Sequence, residues 1–142
     1  MGDRCYLTVR VKTDDLKEFL RLMGLDDSFV IGDNGATSIV DVDEANYAMS
    51  YELDTANHAG IQFMGWHGAG DEYGEEAFVS MGKRGVMYYP ESHGYPMLRL
   101  NANCTVGQGI LRVMQKTFKA RCELSREFDR LDAKAKKAAN VK

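Results

Sequence analysis

The segment Arg4 to Lys12 alternates apolar and polar side chains, and this alternation limits the possible folds more than any other feature. One side carries four apolar residues, Cys5, Leu7, Val9 and Val11. Successive side chains of a β-strand point to opposite faces, so the pattern predicts an amphipathic strand. The chain is therefore expected to begin with a strand that buries one face.

A helix is predicted immediately after this strand. Apolar residues recur at helical spacing, at Leu16, Phe19, Leu20 and Met23. Thr13 and the pair Asp14-Asp15 supply side chains of the kind that cap a helix N-terminus, and Gly24 is a natural C-terminal stop. The opening unit is thus strand followed by helix.

The middle of the chain contains less regular patterns. Residues 26–35 have the composition of a loop, 37–43 predict a short strand and 61–66 predict another. Residues 45–59 fit either a short helix closed by Gly60 or an alternating strand, and we favour the helix.

Two apolar strands, 77–81 and 86–89, are predicted to form a hairpin closed by Gly82-Lys83-Arg84-Gly85. A second turn at 92–94 precedes a predicted strand over 96–102. The resulting order, βαβαββββα, predicts a single α+β domain spanning 1–142. In that domain a largely antiparallel sheet would pack against helices, with a long basic helix at the C-terminus.

The composition fits an ordinary globular protein, since 44% of the 142 residues are hydrophobic. No apolar run reaches the roughly 18 residues of a membrane span, and Met1 to Arg4 lack the features of a secretory signal. These features predict a cytoplasmic protein. Cys5, Cys104 and Cys122 are expected to be buried free thiols.

The net charge of −3 conceals an uneven distribution. From Ile110 to Lys142 there are ten Lys and Arg residues against four acidic ones, a balance of +6. The rest of the chain has eight against seventeen, a balance of −9. A basic tail on an acidic body can bind an anionic partner, pair with a second copy, or form a solvated helix surface. Direct binding of nucleic acid is not expected, because the body is acidic.

The predicted C-terminal helical segment, 105–138, carries two apolar sets that are out of phase by roughly 110°. Leu111, Met114 and Phe118 form the first set. The second set is Leu124, Phe128, Leu131, Ala135 and Ala138. Either the helix breaks near Arg121 or the second set meets another partner. A homodimer through Leu124, Phe128, Leu131 and Ala135 is the preferred interpretation, and a helix folded back on the body or a frayed tail are the alternatives.

The ten-residue run from Gly65 to Gly74 is the predicted functional segment. Four glycines in it alternate with Trp66, His67, Asp71, Glu72 and Tyr73. Glycine permits sharp turns and close approach of a ligand, and such side chains are rarely left in a loop without a packing or binding role. The predicted binding surface comprises Trp66, His67, Asp71, Glu72, Tyr73, Lys83, Arg84 and His93.

This run has three other interpretations. His67, Asp71, Glu72 and His93 are capable of metal ligation or proton transfer, but no known catalytic spacing is present. A phosphate loop is disfavoured by the acidic residues, although Lys83 and Arg84 could offset their charge. The third interpretation is structural, with Trp66 and Tyr73 packed under a tight turn. No catalytic residue, metal or cofactor is therefore predicted.

Three blocks of sequence support a resemblance: 44–47 (Glu-Ala-Asn-Tyr), 60–74 and 78–83. Together they resemble a group of small uncharacterised phage and prophage proteins, in which a similar block precedes a short strand and a basic C-terminal helix. The resemblance covers residues 44–83 and implies a viral origin, and hence a location in the host cytoplasm, but it transfers no catalytic residues.

The expected function is that of a phage-type, non-enzymatic binding protein. It would block or sequester a host component, such as a defence effector or its nucleotide signal, without contact with a membrane. The first alternative is a small metal-dependent enzyme that uses His67, Asp71 and Glu72. The second is a structural or assembly protein that acts through its C-terminal helix.

Overall fold

The computed structural model describes residues 3–140 of the chain. This part forms seven strands: β1 (Arg4–Lys12), β2 (Val30–Asp33), β3 (Thr37–Asn46), β4 (Gln62–His67), β5 (Glu76–Met81), β6 (Met87–Ser92) and β7 (Tyr95–Pro96). It also forms three α-helices: α1 (Thr13–Met23), α2 (Ser50–His58) and α3 (Gln108–Asn140). Within the described residues, no helix has both the length and the apolar content needed to cross a membrane.

The strands form one antiparallel sheet in the order β2-β3-β1-β4-β5-β6-β7. At the centre of the sheet, Val9 of β1 lies between Val40 of β3 and Gly65 of β4. This sheet and the helices confirm the predicted α+β class, including the long C-terminal helix.

Helices cover both faces of the sheet. On one face, α1 and α2 pack on the inward side chains of β1, and the rings of Phe19 and Phe63 lie 5.5 Å apart. On the other face, Leu124 and Phe128 of α3 pack on Met64 and Val79. The alternation predicted at 4–12 places the apolar side chains of β1 on the face covered by α1 and α2, and it places Arg10 on the face covered by α3.

The course of α3 excludes one of the two alternatives, a break near Arg121. The helix is continuous from Gln108 to Asn140. Its sheet-facing positions are Met114, Thr117, Leu124, Phe128 and Asp132. This contact stripe includes two polar residues, Thr117 and Asp132. The pattern of apolar residues alone therefore divides one stripe into two sets.

Several predicted elements differ from the structure. The region 26–35, predicted as a loop, contains a 3₁₀ turn (Asp27–Phe29) and the edge strand β2. The last predicted strand, 96–102, ends at Pro96. There the Met97 amide donates to the Pro90 carbonyl (2.8 Å), and residues 97–100 leave the sheet. In the stretch 45–59, β3 continues to Asn46 and the α-helix begins only at Ser50.

The predicted N-cap of α1 is also corrected. Lys12 occupies the cap position without a side-chain hydrogen bond, and Thr13 Oγ1 instead lies 2.9 Å from Ser38 Oγ. The C-terminal stop is confirmed, since Gly24 has a left-handed φ of 68°. All three cysteines are free, but only Cys5 is buried, and Cys104 is exposed. Cys104 lies in the irregular segment before α3, outside the apolar layer that buries Cys5.

Candidate functional site

The glycine-rich run begins with the last three residues of β4, and its loop part is held in place by the carboxylate of Asp3. The backbone amides of Asp71 and Glu72 donate to the two oxygens of this carboxylate, at 2.7 and 2.8 Å. A Cβ at Gly70 would lie 2.5 Å from the same oxygens, so glycine is needed for this close approach. The loop thus binds an anion that belongs to its own chain. These two amides are therefore not available to a phosphate.

The structure separates the two aromatic residues at the start of the run. Trp66 and His67 are neighbours on β4, so their side chains point to opposite faces of the sheet. Trp66 is half-buried beside Tyr6, with ring centroids 6.1 Å apart. His67 is only 2% exposed and lies in the layer next to α2. The two side chains do not form one binding surface.

The other predicted surface residues fall into separate places. Tyr73 packs edge-on against His67, with ring centroids 5.4 Å apart. Asp71 and Glu72 are exposed at the tip of the loop. Lys83 and Arg84 are exposed in the turn between β5 and β6, and His93 is exposed in the turn between β6 and β7. The predicted set therefore divides into buried His67 with half-buried Tyr73, and several surface groups.

Both ring nitrogens of His67 face oxygen atoms. Nδ1 lies 2.8 Å from the Gly68 carbonyl oxygen, and Nε2 lies 3.2 Å from Oε1 of Glu76. A carbonyl only accepts, so the geometry assigns a proton to Nδ1. An imidazolium would donate to both partners.

A cavity of about 340 Å³ lies over this histidine, and we call it the tyrosine pocket. Its lining residues are Tyr47, Ala48, Ser50, His67, Tyr73, Glu76 and Tyr88. Burial raises the pKa of both Tyr73 and Tyr88 well above the ordinary value. The carboxylates of Glu76 and Asp54 raise the pKa of Tyr88 further. Both phenols therefore keep their protons at neutral pH.

One wall of the tyrosine pocket is a strained backbone segment. Tyr47, Ala48 and Met49 have φ values of 49°, 53° and 51°, a left-handed conformation that is rare for residues with a Cβ. The Tyr47 amide donates to the Asp3 carbonyl at 2.6 Å, which helps to hold the segment in place. Such strain persists only when surrounding contacts impose it, and it is concentrated at functional sites.

Ala48→Gly is expected to leave the free energy of unfolding unchanged or to raise it. Relief of the left-handed conformation, about 1–2 kcal/mol, offsets the lost methyl and the added backbone freedom. The matched control is Ala56→Gly in α2, also fully enclosed but helical, where a loss of about 1–2 kcal/mol is expected. Urea denaturation measures both. Equal losses for the two variants would show that residue 48 is not strained.

A second concave surface lies between the turn 82–85 and the first half of α3, and we call it the basic groove. It encloses about 670 Å³. Four cationic side chains line it, Lys83 and Arg84 from the turn and Lys116 and Lys119 from α3, against one carboxylate, Glu123. Its apolar lining includes Met81, Val86, Met87 and Val113. Within residues 3–140, none of the four cations forms a salt bridge.

The buried side-chain amide of Asn57 holds the turn that carries Lys83 and Arg84 in place. Asn57 of α2 donates from Nδ2 to Ser80 Oγ (2.7 Å), and its Oδ1 accepts from the Gly85 amide (3.0 Å). Ser80 Oγ in turn donates to the Ile61 carbonyl (2.8 Å). This chain of hydrogen bonds positions the two cations at the end of the β5–β6 hairpin before any ligand arrives.

The four residues of the predicted dimer interface do not form a free seam. Leu124 and Phe128 are 2% and 0% exposed, because they pack on the sheet of their own chain. Leu131 is half-buried in the same cluster, and Ala135 lies against Gly35. This arrangement matches the alternative of a helix folded back on the body. While α3 lies there, Leu124 and Phe128 cannot contact a second copy.

The structure also bears on the metal-dependent alternative. Asp71 and Glu72 lie at an exposed loop tip, whereas His67 is buried. In the part of the chain that the structure describes, no group of three or more His, Cys, Asp or Glu side chains could hold a metal ion.

Comparisons of the chain with protein-family models, curated proteins and solved structures found no match.

Proposed function

We propose that this chain is a phage-type, non-enzymatic binding protein that sequesters an anionic, nucleotide-like host component in the basic groove. The main support for the proposal is that one concave surface contains both four cationic side chains and an apolar lining. A ligand with phosphate groups and a flat base would match both parts of this surface. The nucleotide signals that host defence systems use are ligands of this kind.

The charge distribution favours an anion at this place. The body of the protein carries −9 and would repel phosphates elsewhere on its surface. In the groove, the turn and α3 bring four positive charges together around one carboxylate. Opposite charge focused within a concave surface both attracts an anion and orients it.

The size and rigidity of the groove also suit a small molecule. Ligand pockets in proteins enclose about 300–1,000 Å³, and the groove encloses about 670 Å³. The Asn57 hydrogen bonds hold the turn in place, so less ordering is required when a ligand binds. The thioethers of Met81 and Met87 can adapt to a base.

The proposal predicts that ATP, used as a probe nucleotide, binds the full chain with an affinity that falls as the salt concentration rises. Lys83→Glu combined with Lys119→Glu is expected to weaken binding roughly 100-fold, because two charge-assisted contacts are lost. The matched control, Lys136→Glu with Lys137→Glu, changes the net charge equally at the far end of α3. Isothermal titration calorimetry measures all three proteins.

Two results would contradict this proposal. The first is that the groove variant and the control variant lose affinity equally, which would indicate only a long-range charge effect. The second is the absence of binding of ATP and of other purine and pyrimidine nucleotides to folded wild-type protein. Circular dichroism of each variant confirms that the fold is retained.

A further inference from the structure

We infer that the tyrosine pocket is a second ligand site, and that it takes a small organic cation such as a quaternary or alkylated ammonium group. This site adjoins the basic groove at Tyr88, which lines both cavities, but it takes a ligand of opposite charge. Three tyrosines, at positions 47, 73 and 88, and the carboxylate of Glu76 form its walls. Aromatic rings with a nearby carboxylate are the side chains that recognise such cations.

The aromatic walls supply the first part of the recognition. A tyrosine ring has a negative face, and a cation within about 6 Å of the ring centroid is attracted to it. The pocket encloses about 340 Å³, near the lower limit of known ligand pockets. A trimethylammonium group is nearly spherical and has no hydrogen-bond donors, so it suits a cavity with aromatic walls.

The charges around the pocket favour a cation. The lining contains the carboxylate of Glu76 and no Lys or Arg side chain among its seven residues. The Glu76 carboxylate lies 3.2 Å from His67 Nε2, so it offers its full charge to a ligand when the imidazole is neutral. Asp54 lies near Tyr88, and Asp3 lies near Tyr73, so both tyrosines have further acidic neighbours.

The walls are already held in position. Tyr73 packs against His67, and its hydroxyl lies 3.5 Å from the Asp3 carbonyl. Tyr88 packs against Phe78, with ring centroids 5.6 Å apart. Tyr47 is 48% exposed and belongs to the strained segment. Contact between the Tyr47 ring and a ligand would account for the strained left-handed backbone that carries this ring.

The test compares choline with 3,3-dimethylbutan-1-ol, which has the same shape but no charge. NMR titration of the full chain is expected to show binding of choline about tenfold tighter than binding of the alcohol. Tyr47→Ala is expected to weaken choline binding by about tenfold, whereas Tyr47→Phe retains it. Tyr51→Ala is the matched control, because Tyr51 is 80% exposed and does not line the pocket.

Three results would overturn the inference: equal binding of choline and the neutral alcohol, no binding of choline to folded wild-type protein, or equal effects of Tyr47→Ala and Tyr51→Ala. The Lys83→Glu, Lys119→Glu variant is expected to bind choline like the wild type. Loss of ATP binding without loss of choline binding in that variant distinguishes the two sites. Failure of one proposal therefore leaves the other testable.

Discussion

Replacing Asp132 by alanine is expected to lower the free energy of unfolding by about 3 kcal/mol or more. The Asp132 carboxylate accepts hydrogen bonds from Arg10 Nη2 (2.7 Å) and Thr37 Oγ1 (2.8 Å). It also accepts from the backbone amides of Ala36 (2.9 Å) and Thr37 (2.8 Å). Its removal would leave a largely buried guanidinium and two amides without this acceptor.

This carboxylate holds the second half of α3 on the sheet. Arg10 of β1 lies over the Phe128 ring, with 5.4 Å between the guanidinium carbon and the ring centroid. Its Nη2 also pairs with Asp129 at 2.9 Å. Asp129→Ala is the matched control, because its side chain is 68% exposed, and a loss below about 1 kcal/mol is expected. Urea denaturation at pH 7 that showed equal losses would contradict the assigned role of Asp132.

The same contacts make stability depend on pH. Burial alone would raise the pKa of Asp132, but hydrogen bonds from Thr37, Arg10 and the backbone lower it below the ordinary 3.8. A lowered folded-state pKa means that this stabilisation is fully present above about pH 4 and is lost as the pH falls through the folded-state value. Asp132→Asn is therefore expected to differ from the wild type most at pH 7 and less near pH 3.

Gly65→Ala is expected to cost about 3 kcal/mol or more, or to prevent folding. A Cβ at this position would lie 2.2 Å from the Thr8 carbonyl oxygen and 2.7 Å from the Phe78 ring. Neither contact can be relieved by rotating a flexible side chain end, because one is backbone and the other is a core ring. The β1–β4 pairing would have to open at the centre of the sheet.

Gly74→Ala provides the comparison within the same run. No atom lies within 4 Å of a Cβ built at Gly74, and the residue is exposed. Its substitution is expected to change stability by less than about 0.5 kcal/mol. Thermal unfolding monitored by circular dichroism measures both variants. Similar melting temperatures for Gly65→Ala and Gly74→Ala would show that the close approach of β1 to Gly65 does not exclude a side chain there.

Elements with strong local patterns could be predicted. The alternation at 4–12, the helix that ends at Gly24 and the hairpin around 82–85 all depend on neighbours within a few residues. The edge strand β2 was missed because Val30, Ile31 and Gly32 show no alternation, and its pairing with β3 defines it. The last predicted strand, 96–102, is wrong beyond Pro96, because a run of apolar residues does not by itself show that a segment pairs with a sheet.

The candidate sites could be predicted only in part. His67, Tyr73, Lys83 and Arg84 were identified from residue type and turn composition. Glu76 was missed, although the hairpin register that places it opposite His67 can be counted from the loop. Tyr47, Tyr88, Lys116 and Lys119 were missed because they belong to other elements, and no short-range pattern links them to their pockets.

The sequence by itself determined the α+β class, most of the strands and helices, and the presence of a turn-forming segment at 65–74. Periodicity and glycine placement act locally, so they can be read along the chain. Only the tertiary structure decided that Asp3 occupies the amides of that segment, that Trp66 and His67 face opposite layers, and that α3 lies on its own sheet. These outcomes depend on contacts between residues distant in the sequence, and local propensity carries no information about them.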